Sequence, residues 1–170
     1  MKNLKLHGLE AVADLDTPLG TMTALATAQG LAALWFDARE RYAPALQGVP
    51  QRPDHPHIQA ARRWLQAYWS GQPTAGLEVP LDLQGSLFQR AVWQQLLRIP
   101  PGQTRSYGEV AAGVGGGAVA RATGAACGAN PVGVIVPCHR VVGANGSLTG
   151  FAAGLPRKQR LLQHEGALLL

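Results

Sequence analysis

The sequence predicts an α/β (α+β) fold in two parts. The first is a small N-terminal antiparallel sheet with a helix, over residues 1–80. The second is a mainly helical C-terminal domain, over residues 85–170, with a helix-turn-helix and a short strand at a reactive site. Three observations carry this. Short apolar segments separated by turn residues run from residue 9 to residue 36. Pro73, Gly76, Pro80 and Gly85 then interrupt the chain. From Ser86 onward, helix-capping signatures alternate with glycine and proline stops.

Leu9–Leu15, Leu19–Ala26 and Leu31–Phe36 read as strands, with turns at Asp16-Thr17-Pro18 and Gln29-Gly30. Such close spacing favours a meander. Residues 39–56 are rich in proline and polar groups and read as a loop. Ile58, Ala61, Leu65 and Tyr68 then recur at helical spacing from His57 to Ser70, and Gly71 is the stop. Ser86 is an N-cap for a helix to Arg98, ended by Ile99-Pro100-Pro101-Gly102. Ser106 and Glu109 have capping-box spacing and open a short helix from Tyr107 to Ala112. Gly113 and Gly115–Gly117 break it, and a second helix runs from about Ala118 to Gly128. Two short helices around a glycine turn fit a helix-turn-helix. In the last helix, Pro156 to Glu165, Leu161 and Leu162 are expected inward and Arg157, Lys158 and Arg160 outward.

Two features carry chemistry. Val132–Val136 is a short continuous apolar run that reads as a buried strand ending at Pro137, with Cys138 and His139 next. Thiolate is the reactive form of cysteine, and a neighbouring base raises its population. The other reading is a buried packing cysteine beside a surface histidine, since adjacent side chains on an extended chain diverge. The second feature is the helix around Arg121. Ala118, Ala120, Ala122, Gly124, Ala125 and Ala126 make it slim, and Arg121 is its only charge. Small residues fit tight helix packing; they equally allow close approach to a nucleic-acid duplex with one arginine projecting.

Composition narrows the function classes. The 170 residues include 15 Lys and Arg against 10 Asp and Glu, a net +5, with a sequence pI near 9.8. A basic excess favours a polyanionic partner. The start, Met1 to His7, lacks the apolar core of a signal peptide, and no run approaches a membrane span. A cytoplasmic protein with reduced Cys127 and Cys138 is expected. His7, His55 and His57 have poor geometry for a closed metal site and read as solvated loop residues, so no metal and no cofactor is expected.

From about Gly85 to Gly166 the chain resembles the O6-alkylguanine-DNA alkyltransferase family. The resemblance rests on Phe88-Gln89 with Val92-Trp93, Ile99-Pro100 with Gly102-Gln103-Thr104, Ser106-Tyr107-Gly108, Arg121-Ala122, Asn130-Pro131, Pro137-Cys138-His139-Arg140-Val141, and Lys158 through Leu161-Leu162 to Glu165-Gly166. The first 80 residues resemble the family in layout alone.

The resemblance implies that Cys138 takes an alkyl group from guanine O6, or thymine O4, in DNA by direct displacement. His139 is then the base, acting through a water, and Glu165 orients it. Tyr107 donates a proton toward the leaving base. Arg121 fills the space of the nucleotide rotated out of the duplex, and its helix, with Ala120, Ala122, Ser106 and Tyr107, lies in the minor groove. Val141, Phe151, Ala152 and Ala153 receive the base, while Asn130 and Pro131 brace the preceding turn. The thioether product has no route back, so each molecule acts once. No apolar stripe is left unassigned, so a monomer is expected. Phe151 stands where a tyrosine is common and Ala153 where a glycine is, which puts bulky adducts in question while methyl is expected to fit. Gly115-Gly116-Gly117 precedes the slim helix where a proline is usual. The competing readings are a non-catalytic protein that flips and flags the lesion, which Cys138 opposes, and a cysteine hydrolase, for which no oxyanion-hole signal exists.

Overall fold

The computed structural model describes residues 5–168. The N-terminal stretch Met1–Leu4, part of the segment judged for a leader, lies outside them. The chain divides into two compact units, Met1–Gln84 and Gly85–Leu170.

In the first unit, strands β1 (Leu9–Thr17), β2 (Gly20–Thr27) and β3 (Leu31–Trp35) form an antiparallel meander in the order β1-β2-β3. All five residues of β3 are buried, as are the last six of β2. Helix α2 (Pro56–Trp69) packs on this sheet through Ile58, Ala61, Leu65 and Tyr68, the stripe its spacing predicts. Burying side chains of this size contributes about 1.5–3 kcal/mol each. The stretch expected to be loop contains a short helix α1 (Ala38–Arg41) and a 3-10 turn (Ala43–Leu46), both shorter than a periodicity signal can reveal. His55 also departs from expectation. It is buried, its Nδ1 accepts the His57 N–H at the start of α2, and its Nε2 meets Glu10 at 2.8 Å. A histidine before Pro56 has thus become a helix cap rather than a solvated side chain.

The second unit is built on α3 (Leu87–Leu96), α4 (Tyr107–Val114), α5 (Ala120–Gly128) and α6 (Leu155–His164). Ser86 with Gln89 and Ser106 with Glu109 both close complete capping boxes, so α3 and α4 begin where the sequence places them. Gly115, Gly116 and Gly117 all have positive φ, the conformation that turns the chain from α4 into α5. Buried Trp93 on α3 donates from Nε1 to the Ala126 carbonyl at 2.9 Å and fixes α5 against α3. Two short strands, β4 (Arg105–Ser106) and β5 (Val141–Val142), pair in parallel.

The expected strand at Val132–Val136 is absent. Val132, Val134 and Val136 are fully buried, but the segment turns on itself. Ile135 N–H donates to Gly133 O at 2.8 Å around Val134, whose φ is 68°. Cys138 N–H donates to Val136 O at 2.8 Å around Pro137, with φ −84° and ψ 63°. These are a γ-turn and an inverse γ-turn. A β-branched residue in the left-handed region costs about 1–3 kcal/mol. Asn130 holds the turn in place, with Nδ2 donating to Val136 O at 2.9 Å and Oδ1 accepting from Val132 N–H at 3.0 Å. Apolar sequence fixed burial here, but side-chain bonding decided the shape.

Candidate active site

The inverse γ-turn delivers Cys138 to the start of a 3-10 turn, Cys138–Arg140, whose three residues are all buried. One tight turn, not an extended chain, therefore carries Cys138 and His139 into the same interior. The parallel pairing of Ser106 with Val142 brings the first turn of α4, and so Tyr107, beside this segment.

His139 Nε2 lies 2.7 Å from Glu165 Oε2, and the two side chains are 0% and 1% exposed. Burial raises the Glu165 carboxyl, but hydrogen bonds from His139 and Arg140, with the Arg140 charge, outweigh it and bring the group to about 2. Glu165 is therefore an acceptor, so His139 carries its proton on Nε2 and Nδ1 bears the lone pair. That Nδ1 is buried and has no hydrogen-bond partner among the described residues. Burial pushes His139 below its ordinary range, and the Glu165 bond and charge only partly offset this. The result is a neutral imidazole with its base nitrogen unspent.

Two residues outside the expected site complete it. Arg140 grips Glu165 with both oxygens, Nε to Oε1 at 2.8 Å and Nη2 to Oε2 at 2.9 Å, and donates from Nη1 to Ile99 O at 2.6 Å. Lys158, expected outward, is fully buried. Its Nζ donates to Val141 O at 2.6 Å, Thr149 O at 2.7 Å and Gly150 O at 3.2 Å, which satisfies all three ammonium protons. Desolvation lowers its pKa. A signal for Lys158 existed, because positions 158, 161, 162 and 165 share one helical face. For Arg140 the signal was scarcity. Residues 85–170 hold eight Lys and Arg but only Glu109 and Glu165 as acids, and Glu109 serves a capping box.

Tyr107 is half-buried and donates to the Thr149 carbonyl at 3.3 Å. Burial raises its pKa against the lowering effect of that bond, so the phenol keeps its proton. Ser106 is half-buried, and its hydroxyl oxygen is engaged by Glu109 N–H in the α4 cap. Phe151 and Ala153 are half-buried and Ala152 is exposed, while Asn130 and Pro131 are interior. On α5, Thr123, Ala126 and Cys127 face inward, whereas Ala120, Arg121, Ala122 and Ala125 are exposed. The slimness of α5 thus serves both sides of the helix. Burial pushes the Cys127 thiol up to about 12, which leaves it unreactive at neutral pH. The 85–170 half has a net charge of +6, against −1 for residues 1–84.

Comparison with known proteins identifies the family. Residues 87–167 match the family model described as 6-O-methylguanine DNA methyltransferase, DNA binding domain. Residues 12–83 match that of the same methyltransferase's ribonuclease-like domain. A methylated-DNA–protein-cysteine methyltransferase of Mycolicibacterium paratuberculosis is 44% identical over 151 residues, 89% of each chain. The chain belongs to this methyltransferase family. The crystal structure of Mycobacterium tuberculosis O6-methylguanine methyltransferase aligns with a TM-score of 0.80 at 40% identity, covering 92% of this chain and 93% of that one. Mycobacterium tuberculosis OGT in complex with DNA aligns with a TM-score of 0.74 at 37% identity over the same shares. Within the methyltransferase, no described helix is long and apolar enough to cross a membrane. Among the described residues, no group of three or more His, Cys, Asp or Glu could hold a metal ion.

Proposed function

We propose that this methyltransferase repairs DNA by direct reversal, moving the alkyl group of O6-alkylguanine, chiefly methyl, onto its own Cys138. The observation that carries the reading is Cys138 next to a histidine whose Nε2 is pinned by Glu165 and whose buried Nδ1 is unspent. In the reaction, the bond between the alkyl carbon and guanine O6 breaks and a carbon–sulfur bond forms. The thiol proton goes to His139 Nδ1, directly or across one water. Tyr107 donates its hydroxyl proton to the departing guanine anion and is reprotonated from His139, so the net movement is one proton from thiol to guanine. The thioether is stable, so one molecule repairs one lesion.

A guanine O6 points into the base stack, so the nucleotide must leave the duplex first, at a cost of a few kcal/mol. The exposed Ala face of α5 supports close approach in the minor groove, with Arg121 occupying the vacated position. The +6 charge of residues 85–170 supports attraction to the phosphates. Phe151, Ala152 and Ala153 border the base pocket, and O4-alkylthymine is a second substrate candidate. We place a monomer at work on DNA in the cytoplasm.

Intact mass after incubation with a duplex bearing one O6-methylguanine tests this. A gain of one methylene, stopping at one per molecule and absent in Cys138→Ser, is expected. Tight lesion-selective binding with no mass gain would replace the reading with that of a lesion-flagging protein. Arg121→Ala is expected to slow repair in duplex about 10- to 100-fold while sparing reaction with free O6-methylguanine. Equal losses on both substrates would remove Arg121 from extrusion.

A further inference from the structure

We infer that Val119 is a second point of contact between α5 and DNA, an apolar shoulder that packs on a deoxyribose of the minor-groove wall beside the step Arg121 enters. This role rests on the duplex reaction proposed above and adds a residue that serves duplex substrates in particular.

Val119 is the N-cap residue of α5, with φ −113° and ψ 151°, and no side-chain bond caps that helix. Its carbonyl accepts the Thr123 N–H at 3.0 Å and so begins the helix ladder. Valine is among the poorest residues at this position, because it offers the first N–H groups no acceptor. The other helices of this unit follow the rule. Ser86 and Ser106 close capping boxes on α3 and α4, and α6 starts from Gly154 with Pro156 in its first turn. A local rule broken with no gain in packing is expected at functional positions. Packing gains little here, since Val119 is 59% exposed.

Its surroundings indicate what covers it. Val119, Ala120, Arg121, Ala122 and Ala125 are all exposed. Arg121 and Ala125, four apart, share one line along the exposed face, and Ala122 with Val119, three apart, borders it. A central line meets the floor of a groove, where bases lie; a border meets its wall. Between the charged phosphates and the polar base edges, that wall presents the C–H surface of the sugars, which suits a valine and not a cation. A β-branched side chain also has little rotamer freedom to lose on contact. The net +6 of residues 85–170 brings the same unit to the phosphates.

Two substitutions at this position, each read on two substrates, test the shoulder. Val119→Ala removes it and leaves the cap as poor as before; Val119→Ser removes it and supplies a cap. Single-turnover rate constants are measured with subsaturating duplex bearing one O6-methylguanine and with free O6-methylguanine. The ratio of duplex to free-base rate constants should fall about three- to tenfold in both variants, the share of a valine's apolar contact that its exposed surface can supply. Val119→Ser should meanwhile melt about 2–4 °C higher than the unaltered protein; a melting temperature that does not rise removes the premise of a sacrificed cap. An unchanged ratio in Val119→Ala overturns the proposal, as does a fall in Val119→Ser alone, which would trace to the cap. Equal losses on both substrates also overturn it, since a contact with the groove wall does not act on a base outside DNA. Failure of the unaltered protein to take up methyl would defeat the transfer reading instead. Val119 is then judged by the affinity of the same variants for the lesion-bearing duplex, which both should weaken by the same factor.

Discussion

The molecule contains the same histidine–glutamate hydrogen bond twice, with opposite uses. In the N-terminal unit His55 Nε2 meets Glu10 at 2.8 Å; in the C-terminal unit His139 Nε2 meets Glu165 at 2.7 Å. Distance does not separate them. What separates them is the second ring nitrogen and the solvent. His55 spends Nδ1 on the His57 N–H and so caps α2, while Glu10 is 44% exposed. His139 leaves Nδ1 unspent, and its carboxylate is 1% exposed and doubly held by Arg140. A histidine with both nitrogens committed is a structural part. One with a pinned Nε2–H and a buried lone pair on Nδ1 is a base waiting for a proton.

The largest contrast should come from the carboxylates. Glu165→Gln removes the charge that orients His139 and leaves Arg140 buried without its anion. Single-turnover methyl transfer should fall about 10²- to 10³-fold. Glu10→Gln, the matching change in the other pair, should leave the transfer rate unchanged. Comparable losses in both variants would erase the distinction between a base and a cap.

Acid should sharpen the comparison next. His139 is held below its ordinary 6.5, so the unfolded chain binds the proton more readily. Its contribution to stability is complete above pH 6.5 and shrinks as pH falls below that value. Glu165, at about 2 against 4.5 unfolded, contributes fully above pH 4.5 and loses that contribution as pH falls toward 2. Urea midpoints measured across this range should decline in two stages. His139→Gln should flatten the upper stage and Glu165→Gln the lower. A single decline unaffected by either variant would contradict the assignment.

The smallest effect belongs to the cap. His55→Ala should cost about 1 kcal/mol, the loss of an N-cap, and lower the melting temperature by about 2–4 °C. The rate of methyl transfer should not change. A slowed rate at full stability would give His55 a role beyond capping.

Much of this was legible because its causes are local. The capping boxes at Ser86–Gln89 and Ser106–Glu109, the glycine turn before α5 and the meander of β1, β2 and β3 each depend on neighbours a few residues apart. Cys138, His139 and Glu165 were nominated by motif, and the structure brings His139 and Glu165 together across 26 positions. Lys158 is buried despite its charge because its position in α6, not its residue type, decides which way it faces. Its helical face already belonged to Leu161 and Leu162, and three carbonyls supply what solvent would have supplied. His55 departs from the solvated expectation for a related reason: a polar side chain in a proline-rich stretch has two partners, one of them 45 residues away.

The sequence alone therefore nominated Cys138, His139 and Glu165, placed the starts of α3 and α4, and determined which half bears the positive charge. Apolar runs, caps and glycines act over short range and can be read in order. Only the tertiary structure decided the form of the Val132–Val136 segment, whose valines would be equally buried in a strand or a turn. Asn130 bonding across it tipped the balance toward γ-turns that aim Cys138. Only the tertiary structure, too, decided that His139 rather than His55 keeps a nitrogen in reserve. That difference lies in which groups meet a ring from distant parts of the chain, and in how much water reaches them.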